Sequence, residues 1–296
     1  MPKNNSRNIK HVLSPRERHW VGDGFAVSTI FAPSILDPQE LSPFVLMDHA
    51  LPRHFSPATN RRGVGPHPHR GFETVTFAYQ GEVEHRDSHG GGGLIGPGDV
   101  QWMTAGSGVV HEEMHSEQFT QTGGTFEMVQ LWVNLPARLK MTTPRYQALE
   151  GAGFPRLDFH NGSGRLIAGT LQGLTGPAKI HTHMTIFDVK LETGGTCQFS
   201  FPAGTTTLVF ILEGQAMAQH TRTIRSGDLM VMERKADGEV HLEALSGARV
   251  LVLAGEPLDE PVVARGPFVM NTQEEILAAI RDYQQGRMGH LAPGAL

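Results

Sequence analysis

The segments FAYQGEV (77–83) and IGPGDVQWM (95–103) recur in the second half of the chain as FILEGQA (210–216) and IRSGDLMVM (224–232). In each copy an apolar strand runs into a glycine turn, and a Gly-Asp turn then launches another apolar strand. Gly81 matches Gly214 at an offset of 133 residues, and Gly98 matches Gly227 at 129. An interval of that size marks a duplicated domain and not a short-period solenoid.

Outward from these anchors the strand signal continues in FETVTFAY (72–79), TFEMVQLWVNL (125–135), TIFDVKLE (185–192) and ARVLVLAG (248–255), where apolar residues alternate or run together. The 35 glycines and 19 prolines suit short strands joined by tight turns, and 296 residues suffice for two domains with separate cores. The Pro-, Gly- and charge-rich stretch 135–157 reads as the linker. It gives an N-terminal domain over 1–145 and a C-terminal domain over 146–296. A helix is expected only near the end, over 272–286. There Thr272 and Glu275 have capping-box spacing, Ile276, Ile280 and Tyr283 form an apolar stripe, and Gly286 suits the stop. The expected fold is all-β: two tandem jelly-roll-type barrels, with this short C-terminal helix packed outside one of them.

A net charge of −5 without a concentrated basic stripe argues against nucleic acid as a direct partner. Cys197 is the only cysteine, so no intrachain disulfide can form and a reducing compartment is expected. The first twenty residues are polar, unlike a secretory signal, and the apolar runs at 207–212 and 250–255 are too short to span a bilayer. The expectation is a cytoplasmic protein with no membrane association.

Among 16 histidines, His67 and His69 stand out, because residues i and i+2 on a strand share a face about 6–7 Å apart. Pro66 and Pro68 alternate with them and restrict the backbone. His111 and Glu113 repeat the spacing after a Gly-rich approach. On facing walls of a barrel the two pairs would supply three neutral imidazoles and one carboxylate. That set suits a divalent first-row metal such as Fe(II) and leaves up to two positions open. It has no thiolate, unlike most closed structural zinc sites.

Glu73 competes with Glu113 as the carboxylate, although a supporting or arginine-pairing role fits it as well. His115 keeps the same parity but lies farther along. His85 and Asp87 read equally as pocket residues or as part of a solvated hairpin beside a flexible glycine loop. Trp102, Met103 and Phe77 either line the cavity or fill the core. In the second half, the 133-residue offset maps His67 and His69 onto Ser200 and Pro202, whereas His241 and Glu243 fall near the positions of His111 and Glu113. The second barrel is therefore expected to hold no metal. The isolated pair His181 and His183 is the residual alternative.

The stretches HPHRGFETV (67–75), PGDVQWMTAGSGVVHEE (97–113), QLWVNLP (130–136) and AGEPLDEPVVARGPFVMNT (254–272) make the chain resemble a pirin, a family of the bicupin class. The resemblance runs over nearly the whole chain. It implies two cupin barrels, the first holding one metal, usually iron, through His67, His69, His111 and Glu113. Fe(II) is the expected ion, with Ni, Mn, Co, Cu and Zn as alternatives. Some pirins resemble quercetin 2,3-dioxygenases, which implies an oxidoreductase that opens a flavonol ring with O₂. Glu113 would then serve both as ligand and as catalytic base. Other pirins act as iron-dependent regulators through protein partners, which is the alternative.

Overall fold

A computed structural model describes residues 6–235 and 237–291. The chain divides into two compact units, each assembled from more than one stretch of sequence. One contains 16–39, 44–152 and 258–291, and the other contains 6–15, 40–43 and 153–257. The expected boundary at 145/146 therefore does not describe how the chain is partitioned. Residues 258–291, expected in the second domain, pack with the first, and residues 6–15 pack with the second.

Among the described residues, the first unit has a seven-stranded and a four-stranded antiparallel sheet. The larger runs in the order Arg145–Leu149, Val100–Thr104, Phe72–Gln80, Gly124–Asn134, Phe44–Phe55, Phe25–Phe31 and Arg18–Val21. The smaller runs Gly63–His69, Val109–His115, Val83–Asp87 and Gly92–Ile95. Phe25, Val27, Ala50, Phe55, Ala78, Phe119, Phe126 and Met128 form one buried core of this unit. The strand Arg145–Leu149 lies inside the expected linker. It pairs with Val100–Thr104 because Tyr146 can pack on Met103, Ala105 and Val109.

In the second unit nine described strands join in one sheet, and Thr170–Leu171 and Leu174–Thr175 pair separately. The N-terminal strand Ile9–Leu13 is hydrogen-bonded to Leu229–Met232 at one edge. Leu166, Phe187, Val189, Phe210's neighbours Val209 and Ile211, Met230, Val250 and Val252 are buried together or beside it.

The duplication inferred from sequence is visible atom by atom in the turns. Gly81, Gly98, Gly214 and Gly227 all have positive φ, a region open to glycine at little cost. Gly98 N–H donates to Ala78 O while Ala78 N–H donates to Asp99 O; Gly227, Ile211 and Asp228 repeat both bonds. Asp99 accepts from Gly96 N–H, and Asp228 accepts from Arg225 N–H, closing the same Asx-type turn.

The C-terminal helix spans Gln273–Gln284 with Thr272 and Glu275 forming the capping box. Ile276 and Ala279 are buried against Val110, Phe268, Met270 and Met288, whereas Tyr283 of the expected stripe is exposed. Lys140 fixes this segment from within: its buried ammonium donates to Gly71 O, Asn134 Oδ1 and Val269 O at 2.8, 2.6 and 2.9 Å. Among the described residues, no helix is long and apolar enough to cross a membrane.

Candidate metal centre

His67 and His69 end the strand Gly63–His69, and His111 and Glu113 occupy its hydrogen-bonded neighbour Val109–His115. The two candidate ligand pairs thus share one sheet and do not sit on facing walls. His111 lies directly opposite His67, so cross-strand adjacency brings their rings to 4.2 Å between centroids. His69 lies 4.8 Å from both His67 and His111 on the same measure. The register shifts between His111 and Glu113, where Glu113 faces Val64. Such irregularities re-aim side chains at the rim of a sheet.

Candidate ligand atoms of His67, His69 and His111 fall within 4.8 Å of one another, as do those of His85, His111 and Glu113. His111 belongs to both groups. His67 Nδ1–H donates to Gly65 O at 2.9 Å, and His69 Nδ1–H donates to Pro267 O at 3.2 Å. Those bonds leave Nε2 of each ring as the unprotonated nitrogen. His111 Nε2 is buried with no hydrogen-bond partner. Burial, reinforced by the neighbouring histidines, holds His69 and His111 well below the usual imidazole pKa, so both rings are neutral at pH 7. An unmatched buried nitrogen among neutral imidazoles, with a carboxylate beside it, fits a divalent cation.

Glu113 is held by a polar network on the inner face of the larger sheet. Its Oε1 accepts a short bond from Gln101 Nε2 and lies 3.3 Å from Thr76 Oγ1. Thr76 donates to Gln130 Oε1 at 2.7 Å, and Tyr146 donates to Gln101 Oε1 at 3.4 Å. Burial, together with the charges of Glu113 and Asp87, raises the Tyr146 phenol above its ordinary range, so it remains a donor. Phe72 and Trp132 wall the other flank, with centroids 5.1 and 5.2 Å from His69. His67 is half-buried and open space adjoins Gly65, which marks the mouth of the site.

The competing residues separate cleanly. Glu73 is three positions from Thr76 and so points to the opposite sheet face, where Thr104 Oγ1 donates to its Oε1 at 2.7 Å. Trp102 and Phe77 share that opposite parity, whereas Met103 faces inward beside Tyr146. His115 is buried among Phe25, Phe55, Phe119 and Phe126, and its Nε2–H donates to Gly24 O. Its burial lowers the pKa to about 4, as expected for a core imidazole. His85 is buried in the site and not on a solvated hairpin. It stacks on Tyr146 at 4.7 Å and bridges His111 and Asp87. Asp87 lies below the usual carboxylate range: burial raises it, but hydrogen bonds from His85 and the His89 and Gly91 N–H groups outweigh that.

The second unit repeats the strands with other side chains. His241 pairs with Gln198 and Glu239 with Ser200, as His111 pairs with His67 and Val109 with His69. The structural counterparts of His67 and His69 are therefore Gln198 and Ser200, two residues before the positions expected from the glycine offset. The loop after this strand is longer in the second unit, 201–205 against 70–71, and that moved the alignment. Met217, opposite Glu243, takes the place of His85 opposite Glu113. His183 is exposed in the loop before Met184–Ser200. Neither it nor His181 joins a metal-type cluster among the described residues.

Sequence comparison matches the pirin family over residues 27–133 and the pirin C-terminal cupin domain over 186–289. A Pseudomonas aeruginosa protein provisionally named quercetin 2,3-dioxygenase is 52% identical over 283 residues, covering 95% of this chain and 98% of the relative. Pirin-1 of Arabidopsis thaliana is 36% identical, with 95% and 94% covered. The crystal structure of a quercetin 2,3-dioxygenase from Acinetobacter baumannii superposes with a TM-score of 0.93 at 47% identity, covering 97% of this chain and all of that one. The repeated turns, the two cupin units and the histidine cluster thus have one source: the chain belongs to the pirin family.

Proposed function

We propose that the protein is a metal-dependent dioxygenase of the quercetin 2,3-dioxygenase type, acting on a flavonol with O₂. The observation that carries this reading is the convergence of His67, His69 and His111 on one point, with His111 Nε2 buried and unmatched and Glu113 beside it. His67, His69, His111 and Glu113 would hold the ion, for which Fe(II) is the first candidate. The names of the Pseudomonas and Acinetobacter relatives support the reaction class. A bound divalent metal supplies Lewis acidity that favours the ionised form of a coordinated hydroxyl.

The protein's own residues prepare the rest. Glu113 would accept the flavonol hydroxyl proton, and Gln101 and Thr76, which bond to it, support that role. Phe72, fully buried, and Trp132 packed against it exclude water from the His69 side. Tyr146 remains protonated and anchors Gln101.

The test is Glu113→Gln, loaded with Fe(II) and checked for occupancy. Gln can still present an oxygen but cannot take a proton at neutral pH. Loss of flavonol absorbance under air should slow by roughly 10²-fold or more, the usual scale of a lost general base. Turnover equal to wild type would remove Glu113 as the base. An inactive wild type, fully loaded with each of several metals and offered several flavonols, would favour a non-enzymatic iron-binding regulator.

A further inference from the structure

A ligating imidazole works best when its other nitrogen is bonded to a defined acceptor, because that bond fixes both tautomer and ring plane. His67 and His69 use backbone carbonyls for this purpose. His111 has no carbonyl. Its Nδ1 lies 3.3 Å from Nδ1 of His85, and the farther nitrogen of His85, Nε2, lies 3.3 Å from Asp87 Oδ2.

With His85 as a neutral ring, one assignment of protons satisfies this row of atoms. The carboxylate of Asp87 accepts, so His85 carries its proton on Nε2. His85 Nδ1 is then a lone pair, and His111 must donate from its own Nδ1. That leaves His111 Nε2 unprotonated, and it is this nitrogen that is buried without a partner. All three imidazoles consequently turn the same nitrogen to the shared point.

We propose that His85 is the positioning residue of the metal centre, passing the orientation of Asp87 through two imidazoles to the metal-binding nitrogen of His111. The inference rests on the metal site proposed above and gives His85 a role that is neither ligand nor filler. The parts are held firmly enough to do this. Asp87 Oδ1 accepts from the backbone N–H groups of His89 and Gly91 at 2.8 and 2.9 Å, which fixes the carboxylate. Tyr146 lies flat against the His85 ring, with only 11° between the planes. Replacement of Gly91 would disturb the arrangement directly, since an added Cβ would meet Asp87 Oδ2 at 2.3 Å.

The experiment is a Co(II) titration of the metal-free full-length protein against a competing chelator, followed by the visible absorption of the bound ion. His85→Ala and His85→Phe should each lose about 10–100-fold in affinity, the scale found when partners of metal-bound histidines are removed. Phe restores the stacking on Tyr146 but offers His111 no acceptor, so it should not rescue. His85→Asn sets an oxygen near the former Nδ1 and should recover part of the loss. Band positions should stay unchanged, because the ligands are the same.

Wild-type affinity in His85→Phe would overturn the proposal, since packing alone would then explain His85. A shifted Co(II) spectrum in the folded variants would overturn it too, by making His85 a ligand. Should the His85 variants fail to fold, Asp87→Asn carries the test: a several-fold loss supports the relay and unchanged affinity rejects it. Failure of the wild type to bind Co(II) would instead defeat the metal reading itself.

Discussion

Glu73→Gln should change how stability depends on pH, by an amount the structure sets. Glu73 is fully buried, and Thr104 donates to Oε1. Burial, only partly offset by Thr104, Trp102 and the Arg145 charge, raises its pKa from 4.5 to about 7. Between those values the folded protein keeps a proton that the unfolded chain has released. Stability therefore falls as pH rises through this window, and the loss is complete above the folded pKa. At about 1.4 kcal/mol per pK unit, a shift of this size is worth about 3 kcal/mol. Gln does not titrate, so the variant should lack this slope. Thermal midpoints of the metal-free proteins at pH 5 and pH 8 provide the assay. The advantage of the variant should grow by roughly 5–10 °C between the two pH values, using about 2–4 °C per kcal/mol. The histidines titrate in both proteins and cancel in the difference. Parallel pH profiles would show that Glu73 is already ionised in the fold, and would refute the reasoning.

Gly63→Ala should weaken metal binding at least tenfold without replacing a ligand side chain, by about the energy of one backbone displacement. Its Cβ would stand 2.2 Å from Glu113 O and 2.6 Å from Met114 Cα, forcing apart the two strands that carry the site; chelator competition reads the loss. Lys140→Met should cost at least about 3 kcal/mol, since three buried oxygens lose their donor. Faster amide exchange at Phe268–Met270 would accompany the lower melting temperature. His111→Ala should abolish most metal uptake while His241→Ala leaves it unchanged, with wild type near one equivalent by elemental analysis. Equal losses in the two variants would mean that both units bind.

Local chemistry was legible in the sequence wherever spacing alone decides it. The Gly-Asp turns, the i, i+2 histidines and the Thr272–Glu275 cap each need only a few consecutive residues, and each stands in the structure as read. What depends on distant pairing was not legible. Nothing within His67–His69 says that the neighbouring strand is the one bearing His111, so one sheet was mistaken for two walls. Tyr146 was hidden in a stretch whose prolines and glycines suggest a linker, although it packs against the site. Gln101 did leave a trace, as a lone polar residue in the apolar run VQWM. A buried amide of that kind needs partners, and here they are Glu113, Thr76 and Tyr146. The separation of Glu73 from Glu113 needed only strand parity, but parity decides nothing until the inward face is known.

The assignment of residues 258–291 to the first unit has a consequence for the order of events on the ribosome. Synthesis runs from the N-terminus, and domains tend to fold as they emerge. By the time residue 152 has been made, His67, His69, His111 and Glu113 are all present. The Pro267 carbonyl that orients His69 is not, nor is the Val269 oxygen that Lys140 grips. The nascent barrel therefore has its candidate ligands but not the bond that orients His69, and its buried Lys140 has two of its three acceptors. The second unit, whose own pieces lie within 6–257, can close before that. The half of the protein made first is thus the last to be finished, because residues 258–291 complete it.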